Sequence, residues 1–331
     1  MIALFKQKSP ANIVVLLILG LIIKMPLFLF PKAIEAGTGD GHLYYFIISL
    51  ITTPGHSNAF TASILCFSLL YGQALMINFL VNEQRMTTKQ TFLPAMSYLL
   101  ITSLFPEWNY LSAPLTASLF IVWAFIKLFK LYNISAASGV IFNIGLLLGI
   151  SSLIYFPSIA YLLCIFLGLM ILRPFRFNEA MLVILGIIAP YYFYAVYLFL
   201  NDNLQVNQLL PKFAFKIQPL TTSIWPAIAV ALMGIPFLIG GYYIQTQLRK
   251  VLIQVRKNWS ILLLYLVLSL VIPLTSGTGS FQNWVIAATP FAAFHACAYL
   301  YPQKAAFPVI LFFITLLFVF FQQYGVPAWR L

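Results

Sequence analysis

The sequence predicts an all-α fold, a polytopic transmembrane helical bundle of about ten or eleven spans with an interfacial helix after the first outer loop. Composition is the first observation: 62% of the 331 residues are hydrophobic and 7% are charged, whereas soluble domains carry about 25% charged residues. The second is that the apolar residues form runs long enough to cross a bilayer. The third is that most basic residues fall in the short gaps between these runs, which is typical of loops beside a membrane.

The predicted spans follow the apolar runs in order. A helix needs about 20 apolar residues to cross the hydrocarbon core. The first run follows Lys6 and Lys8 and is longer than a signal-peptide core, so we expect a first span rather than a cleaved leader. The spans are predicted near residues 11–31, 59–82, 91–105, 111–132, 135–156, 157–172, 179–200, 224–245, 259–274, 283–300 and 306–322. Together they predict a single integral membrane domain over residues 1–331.

One apolar run is too short to cross a membrane. It extends from His42 to Thr53, and the Pro54-Gly55 pair ends it. A segment of this length is too apolar to stay in water and covers only about half of a hydrocarbon core. We therefore predict a helix that lies along the outer interface.

The distribution of basic residues predicts the orientation, because Lys and Arg are concentrated in the cytoplasmic loops of membrane proteins. With a cytoplasmic N-terminus, the basic residues that fall inside are Lys6, Lys8, Arg85, Lys89, Lys127, Lys130, Arg173, Arg176, Arg249, Lys250, Arg256, Lys257 and Lys304. Those that fall outside are Lys32, Lys212, Lys216 and Arg330, and Lys24 lies within the first span. This bias predicts a multi-pass protein of a bacterial inner membrane with its N-terminus in the cytoplasm.

The cytoplasmic loop 247–258 has two interpretations. Its apolar residues Leu248, Val251, Leu252 and Val255 recur at the spacing of one helix face, and four basic residues flank them. This pattern fits an interfacial amphipathic helix on an anionic leaflet. It fits equally well a cytoplasmic extension of the two neighbouring spans.

Several functional classes are excluded by what the sequence lacks. The basic residues form no cluster on a soluble domain, so no nucleic-acid partner is predicted. Cys66, Cys164 and Cys297 stand singly in apolar runs and are predicted to be small buried hydrophobes, so no metal site is expected. Three histidines are too few for a His-rich membrane oxygenase. The glycine-rich stretch 37–41 follows a span rather than a strand, which argues against a nucleotide-binding loop.

The first outer loop carries the acidic side chains that could do chemistry. Glu35, Asp40 and His42 stand there among three glycines. A carboxylate at the membrane surface can act as a general base when its pKa lies near the working pH. Asp40 also directly precedes an apolar helix, where aspartate is a natural N-cap, and both interpretations stay open. Glu35 is either a solvated loop residue, a supporting carboxylate, or an oxygen ligand for a divalent cation; no other cofactor is predicted.

Basic side chains on the same side are candidates for holding a phosphate, namely Lys24, Lys32, His42, Lys212 and Lys216. Lys24 is the one basic residue inside a span, where an uncompensated charge is costly. It either snorkels outward or belongs to a polar site beneath the outer surface. For Lys212 and Lys216 the alternative is ordinary solvated loop charge.

The order of these parts resembles the GT-C glycosyltransferases, membrane enzymes that use polyprenyl-phosphate sugars as donors. The resemblance covers about residues 35–200 and is carried by Gly39-Asp40-Gly41-His42-Leu43-Tyr44-Tyr45, Leu104-Phe105-Pro106 and Leu147-Leu148-Gly149-Ile150-Ser151-Ser152-Leu153. It implies a GT-C-like core over about residues 11–200 with additional spans at 224–322. The chain departs from the family at position 41, where a second acidic residue is usual and glycine stands here, and it has no acidic residue within 112–120.

The resemblance implies a glycosyltransferase that acts on a polyprenyl-phosphate-linked substrate at the periplasmic face. Asp40 would then be the catalytic carboxylate with Glu35 in support, and the five basic candidates would bind the substrate phosphate. The chain also resembles a polytopic inner-membrane family of Bacteroidota through the stretches Arg173-Pro174-Phe175-Arg176 and Ala189-Pro190-Tyr191-Tyr192, a likeness that implies an envelope compartment and no chemistry.

Two other classes of function remain open. The first is a non-enzymatic subunit or scaffold of an envelope assembly, whose partners would be other membrane proteins. The second is a lipid or solute transporter, which predicts broken spans and polar residues at mid-membrane. Membrane lipid, including polyprenyl-phosphate lipid, is the partner common to the enzyme and to the transporter.

Overall fold

The computed structural model describes residues 2–32, 37, 40–53, 56–57, 59–132, 134, 137–202, 224–275, 280–304 and 306–324. Within these ranges the chain forms α-helices almost throughout. The helices are α1 (Ile2–Phe5), α2 (Ala11–Ile23), α3 (Met25–Leu29), α4 (His42–Ile51), α5 (Ala59–Glu83), α6 (Leu93–Ile101), α7 (Ala113–Phe129), α8 (Ser138–Ile154), α9 (Tyr161–Leu172), α10 (Phe177–Leu200), α11 (Ile224–Gln247), α12 (Ile253–Val271), α13 (Ala288–Leu300) and α14 (Ala306–Tyr324). The predicted all-α class is confirmed.

The remaining regular structure is short. Two-residue strands, β1 (Thr52–Thr53) and β2 (His56–Ser57), pair antiparallel just after α4. Turns of 3-10 helix precede or follow several α-helices, at Pro106–Asn109, Phe156–Ala160, Leu248–Lys250, Ile272–Thr275 and Phe281–Ala287. Several begin at or next to a proline. Proline suits the first turn of a helix, because the N–H groups there have no acceptor within the helix and the N–H that proline lacks is not needed.

Five helical segments of the described chain are long and apolar enough to cross a membrane by length and composition. They are Ala59–Glu83, Phe177–Leu200, Ile224–Lys250, Ile253–Thr275 and Ala306–Tyr324. The other predicted spans are apolar helices of shorter length, which a bilayer would cover only in part unless neighbours cover the rest. These lengths and compositions are those of a membrane protein.

The first predicted span, near residues 11–31, is interrupted rather than continuous. Helix α2 ends at Lys24, whose φ of −103° and ψ of 13° are not helical, and α3 begins at the next residue. Pro26 has no N–H to donate to the carbonyl of Ile22, four residues earlier, so the helix cannot continue its ladder there. The Tyr324 hydroxyl donates to that carbonyl instead, at 2.6 Å. The break is therefore stabilised by the last helix.

Helices α8 and α10 pack with almost no side chain between them. A Cβ at Gly145 would lie 2.2 Å from the carbonyl oxygen of Val183, and one at Gly186 would lie 2.3 Å from that of Phe142. Gly149, one turn along α8 from Gly145, is as closely packed against α10. Small residues four apart that let two backbones touch are typical of helix pairs in membranes, where packing rather than the hydrophobic effect drives association.

The centre of the bundle is filled by two short helices, α6 and α13. Every residue of α6 is buried, and in α13 only the last, Leu300, is partly exposed. A helix buried on all sides needs no polar face, which explains why neither shows an amphipathic pattern. Helices α5 and α11 pack beside this pair, and the side chain of His295 on α13 hydrogen-bonds to the Met233 carbonyl of α11 at 2.6 Å.

The helix ends gather in two groups at opposite ends of the molecule. At the first, the basic end, Phe92 N–H donates to the Phe5 carbonyl, and the Trp259 indole donates to the Met86 carbonyl. At the opposite end, the Trp108 indole donates to the carbonyl of Phe281 at 2.8 Å. These contacts join segments that are far apart in the sequence at each of the two ends.

The loop 247–258 forms an extension of its neighbours rather than a separate amphipathic helix. Helix α11 continues to Gln247, one 3-10 turn follows, and α12 has begun by Ile253. Val255 is buried against the bundle, whereas Leu252 is 68% exposed. Of the two interpretations that the sequence left open, the structure agrees with an extension of the two neighbouring helices.

Candidate functional site

Asp40 closes the loop that precedes α4. Its Oδ2 atom accepts a hydrogen bond from the backbone N–H of Gly37 at 2.7 Å. The Gly37 carbonyl accepts in turn from the hydroxyl of Tyr45, at 3.0 Å. An aspartate that bonds to a nearby backbone amide is a common device for fixing a tight loop. The side chain of Asp40 therefore has a structural role in closing this loop.

Gly41 fixes the same loop to the end of α8. Its N–H donates to the carbonyl of Ile154 at 2.8 Å, and Asp40 forms an isolated antiparallel bridge with Tyr155. A Cβ at position 41 would lie 2.0 Å from the carbonyl oxygen of Leu153, so only glycine fits. Close packing against Leu153 is therefore the physical cause of glycine at position 41.

Burial sets the proton affinity of Asp40. It raises the pKa of the carboxyl group from 3.8 to about 6, and the hydrogen bond from Gly37 opposes the rise in part. In the described part of the chain, no Lys, Arg or His lies within ion-pair distance of it. A carboxylate with a pKa near 6 is largely ionised at neutral pH and accepts a proton more readily than an ordinary aspartate, which suits a general base.

His42 contacts helix α10. Its imidazole stacks on the ring of Tyr194, with centroids 5.6 Å apart and planes 23° apart. Helix α4 also packs against α8, and the hydroxyl of its buried Tyr44 donates to the carbonyl of Leu111 at 3.1 Å. Asp40 and His42 therefore belong to one corner of the molecule, formed by the start of α4 with α8 and α10.

Lys24 is fully buried beneath a different corner. Its Nζ donates to Oδ1 of Asn109 at 2.6 Å, and the side chain has no exposed surface. The Cys66 thiol donates to the backbone carbonyl of the same Asn109 at 3.4 Å. Lys24 is the residue at the break between α2 and α3. Lys24 does not snorkel outward; it belongs to a polar cluster inside the protein.

Asn109 also lines a groove at the end of the molecule, here called the Asn109 groove. It encloses about 950 Å³, including space open to solvent, between α3, the end of α14 and two 3-10 turns. Its polar lining residues are Lys32, Glu107, Asn109, Tyr110, Gln322 and Gln323. The Nζ of Lys32 lies 4.7 Å from the ring centroid of Tyr110, a cation–π contact that holds the lysine at the rim.

A smaller cavity extends the groove towards α4. It shares Lys32, Asn109 and Tyr110 with the groove and reaches Cys66 and Leu111. The Leu111 carbonyl is the acceptor of the Tyr44 hydroxyl, so Tyr44 separates this cavity from the Asp40 loop. Two lysine candidates thus meet around Asn109, whereas neither Asp40 nor His42 lines either cavity.

Asn109 and Tyr110 were missed by the sequence analysis. A short polar stretch after Pro106, beside Glu107, is the signal that could have drawn attention to them, but their link to Lys24 spans 85 positions and leaves no local pattern.

Three predicted site residues, Glu35, Lys212 and Lys216, lie outside the residues that the structure describes. Within the described chain, no group of three or more His, Cys, Asp or Glu side chains is placed to hold a metal ion.

Comparison with known proteins adds no assignment to this geometry. No protein-family model, no curated protein and no solved structure matches the chain.

Proposed function

We propose that the chain is a multi-pass protein of a bacterial inner membrane with a cytoplasmic N-terminus, and that it is a GT-C-like glycosyltransferase. Its substrate would be a polyprenyl-phosphate-linked saccharide, handled at the periplasmic face. The observation that carries this proposal is the Asn109 groove, which combines an apolar wall with Lys32 at its rim and the buried Lys24 bonded to its Asn109. A lipid phosphate needs both an apolar path and cationic or N–H donors.

The orientation rests on charge. Basic side chains from distant segments meet at the basic end, where Lys130 lies 3.9 Å from Glu83 and Lys257 donates to the Leu172 carbonyl at 3.5 Å. The positive-inside bias assigns such an end to the cytoplasm. The Asn109 groove lies at the opposite end, and the Asp40 loop precedes α4 on that side, so both would face the periplasm.

Cysteine labelling tests this orientation, because Cys66, Cys164 and Cys297 are all buried and give little background. Asn201 and Gln303 are both exposed and lie at opposite ends of spans. We expect an impermeant maleimide to label Asn201→Cys in spheroplasts, and to label Gln303→Cys only after the inner membrane is permeabilised. The reverse pattern would invert the orientation and remove the groove from the periplasm.

The roles follow from position. Lys32 would contact the phosphate of a lipid that enters the groove laterally, with Lys24 supporting Asn109 from below. Asp40 would accept the proton of the acceptor hydroxyl, in keeping with its raised pKa of about 6. Because Tyr44 lies between the Asp40 loop and the groove, an acceptor would have to reach over α4 towards the lipid phosphate.

Lys32 gives a direct test of phosphate recognition. We expect Lys32→Gln to weaken binding of a polyprenyl phosphate about fivefold, the effect of removing one cation near a membrane surface. Binding of the corresponding polyprenol, which lacks the phosphate, should not change. Native mass spectrometry of the detergent-solubilised protein measures both, with Lys304→Gln at the basic end as the charge-matched control. Equal binding of phosphate and alcohol by the unaltered protein would contradict a phosphate site.

Two other functions have an observation in their favour. The loop-closing contacts of Asp40 with Gly37 suit a scaffold, in which this carboxylate has no chemistry. The break at Lys24 and the short buried helices α6 and α13 are the discontinuities that a transporter would use. Neither accounts as directly as lipid-phosphate recognition does for a groove that has an apolar wall and Lys32 at its rim, although Glu107 also lines it.

A further inference from the structure

A second groove lies at the basic end, away from the site already described. It is formed by the turn after α5 and by the segment that joins α11 to α12, and it encloses about 660 Å³, including open space. Three cationic side chains line this Arg85 groove, namely Arg85, Arg249 and Lys250. Thr87 and Thr88 add polar groups, whereas no acidic residue lines it. The nearest acidic residue in sequence, Glu83, is paired with Lys130 at 3.9 Å. The charge of the groove therefore favours an anion.

The backbone holds Arg85 at this position despite a steric cost. Its φ is 48°, in the left-handed region, and it follows the last residues of α5. That position after a helix is usually glycine, because residues with a Cβ are strained in this conformation. Arg85 N–H donates to the Asn82 carbonyl at 3.2 Å, which closes the helix end. A glycine would close it at lower cost but would remove a cation from the groove.

The two walls of the groove are tied together by side chains. The Gln84 carboxamide oxygen accepts from Gln254 at 3.2 Å and from Asn258 at 3.3 Å. The Trp259 indole donates to the Met86 carbonyl at 3.1 Å. The turn that carries Arg85 is thus joined by hydrogen bonds to α12, the helix that follows Arg249 and Lys250, and the two walls of the groove are held together.

Apolar side chains stand beside the cations. Leu252 is 68% exposed and Ile253 is 60% exposed, although both belong to the segment that carries Arg249 and Lys250. In water these aliphatic groups would be a liability, and a free phosphate ion would leave them uncovered. A phospholipid covers them with its acyl chain while its phosphate meets the cations.

We propose that the Arg85 groove binds the headgroup of an anionic phospholipid, with the phosphate among Arg85, Arg249 and Lys250 and an acyl chain against Leu252 and Ile253. This site is separate from the Asn109 groove, and it does not depend on the chemistry proposed there. It would anchor the turn between α11 and α12 to an anionic leaflet.

Lipid titration of the delipidated full chain tests the proposal. The probes are phosphatidylglycerol and phosphatidylcholine in mixed micelles, with bound lipid counted by native mass spectrometry. The unaltered protein should prefer phosphatidylglycerol. Changing Arg85, Arg249 and Lys250 together to Gln should weaken phosphatidylglycerol binding about 100-fold and abolish the preference. The charge-matched control changes the exposed Lys8, Arg176 and Lys304 to Gln at the same end and should stay within about twofold.

Two further variants keep the proposal open to contradiction if the triple variant fails to fold. Arg85→Gly relieves the left-handed backbone, so it should fold at least as well while it binds phosphatidylglycerol about fivefold more weakly. Leu252→Ser with Ile253→Ser should weaken lipid binding but leave competition by sn-glycerol 3-phosphate unchanged. If the control triple weakens binding as much as the groove triple, or if inorganic phosphate competes as well as the lipid does, the groove is not a phospholipid site.

Discussion

Under the proposed glycosyltransferase function, replacing Asp40 by Asn is expected to lower sugar transfer about 100-fold or more without destabilising the protein. Asparagine keeps an oxygen that can accept the Gly37 N–H, so the loop-closing contact survives. It cannot take a proton from an acceptor hydroxyl, and loss of a general base costs about 10² to 10⁴ in rate. Transfer from polyprenyl-phosphate sugars in membranes, together with complementation of a deletion strain, measures the loss.

The pH dependence gives an independent check on the same carboxylate. The base must be ionised, so transfer by the unaltered enzyme should rise with pH through about 6, where Asp40 titrates, and that limb should vanish in the Asn variant. Stability should move in the opposite direction. Because burial raises the folded-state pKa above the unfolded value, ionisation destabilises the fold as the pH rises from about 4 to about 6, and the loss persists above that.

Asparagine carries no such charge, so Asp40→Asn should be at least as resistant to thermal unfolding at pH 8 as the unaltered protein. An active, fully complementing Asn variant would refute the catalytic role and leave the scaffold function as the better explanation. Loss of both activity and stability would mean that the loop geometry, rather than the charge, was lost.

The second large effect concerns packing between α11 and α13. A Cβ at Gly240 would lie 2.0 Å from the carbonyl oxygen of Phe294, so the two helix backbones must separate to admit it. We expect Gly240→Ala to destabilise the protein by about 2–3 kcal/mol, the upper part of the range for overpacked sites, and to lower the melting temperature in detergent by several degrees.

The neighbouring glycine provides the matched control. A Cβ at Gly241 meets nothing within 4 Å, so Gly241→Ala should stabilise α11 by about 0.5–1 kcal/mol through the better helix propensity of alanine. Each variant adds one methyl group, at one of two adjacent positions, and the two should shift the melting temperature in opposite directions. Equal shifts would mean that α11 and α13 do not pack as closely as described.

The helices were predictable because their determinants are local. Helices lie at the predicted spans in the described chain, although the first span is divided into α2 and α3, and α12 begins at Ile253 rather than near residue 259. An apolar run of sufficient length has few alternatives to a helix. The helix predicted over His42 to Thr53, from its short length and apolar character, is present as His42–Ile51, and Thr52–Thr53 form β1. The break at Lys24 was not predicted, although Pro26 stands two residues later, because a proline can also lie within a continuous helix, as Pro190 does in α10.

The candidate site was predictable in its parts but not in its assembly. The sequence singled out Lys24, Lys32, Asp40 and His42 from their charge and their position beside spans. Nothing in it showed that Lys24 bonds to Asn109, or that His42 stacks on Tyr194. These partners come from other helices, and their proximity depends on how the helices pack rather than on any spacing along the chain.

The sequence by itself determined the helical class, the positions of the apolar helices and which loops are rich in basic residues. Hydrophobic run length and loop charge are local properties of the chain. The tertiary structure decided which polar groups meet. It placed Tyr44 between the Asp40 loop and the cavity lined by Lys32 and Asn109, made glycine obligatory at position 41 through the approach of Leu153, and buried Lys24 on Asn109. The physical reason is that a buried polar group must find its hydrogen-bond partner wherever packing puts one, and that partner is set by helix contacts remote in sequence.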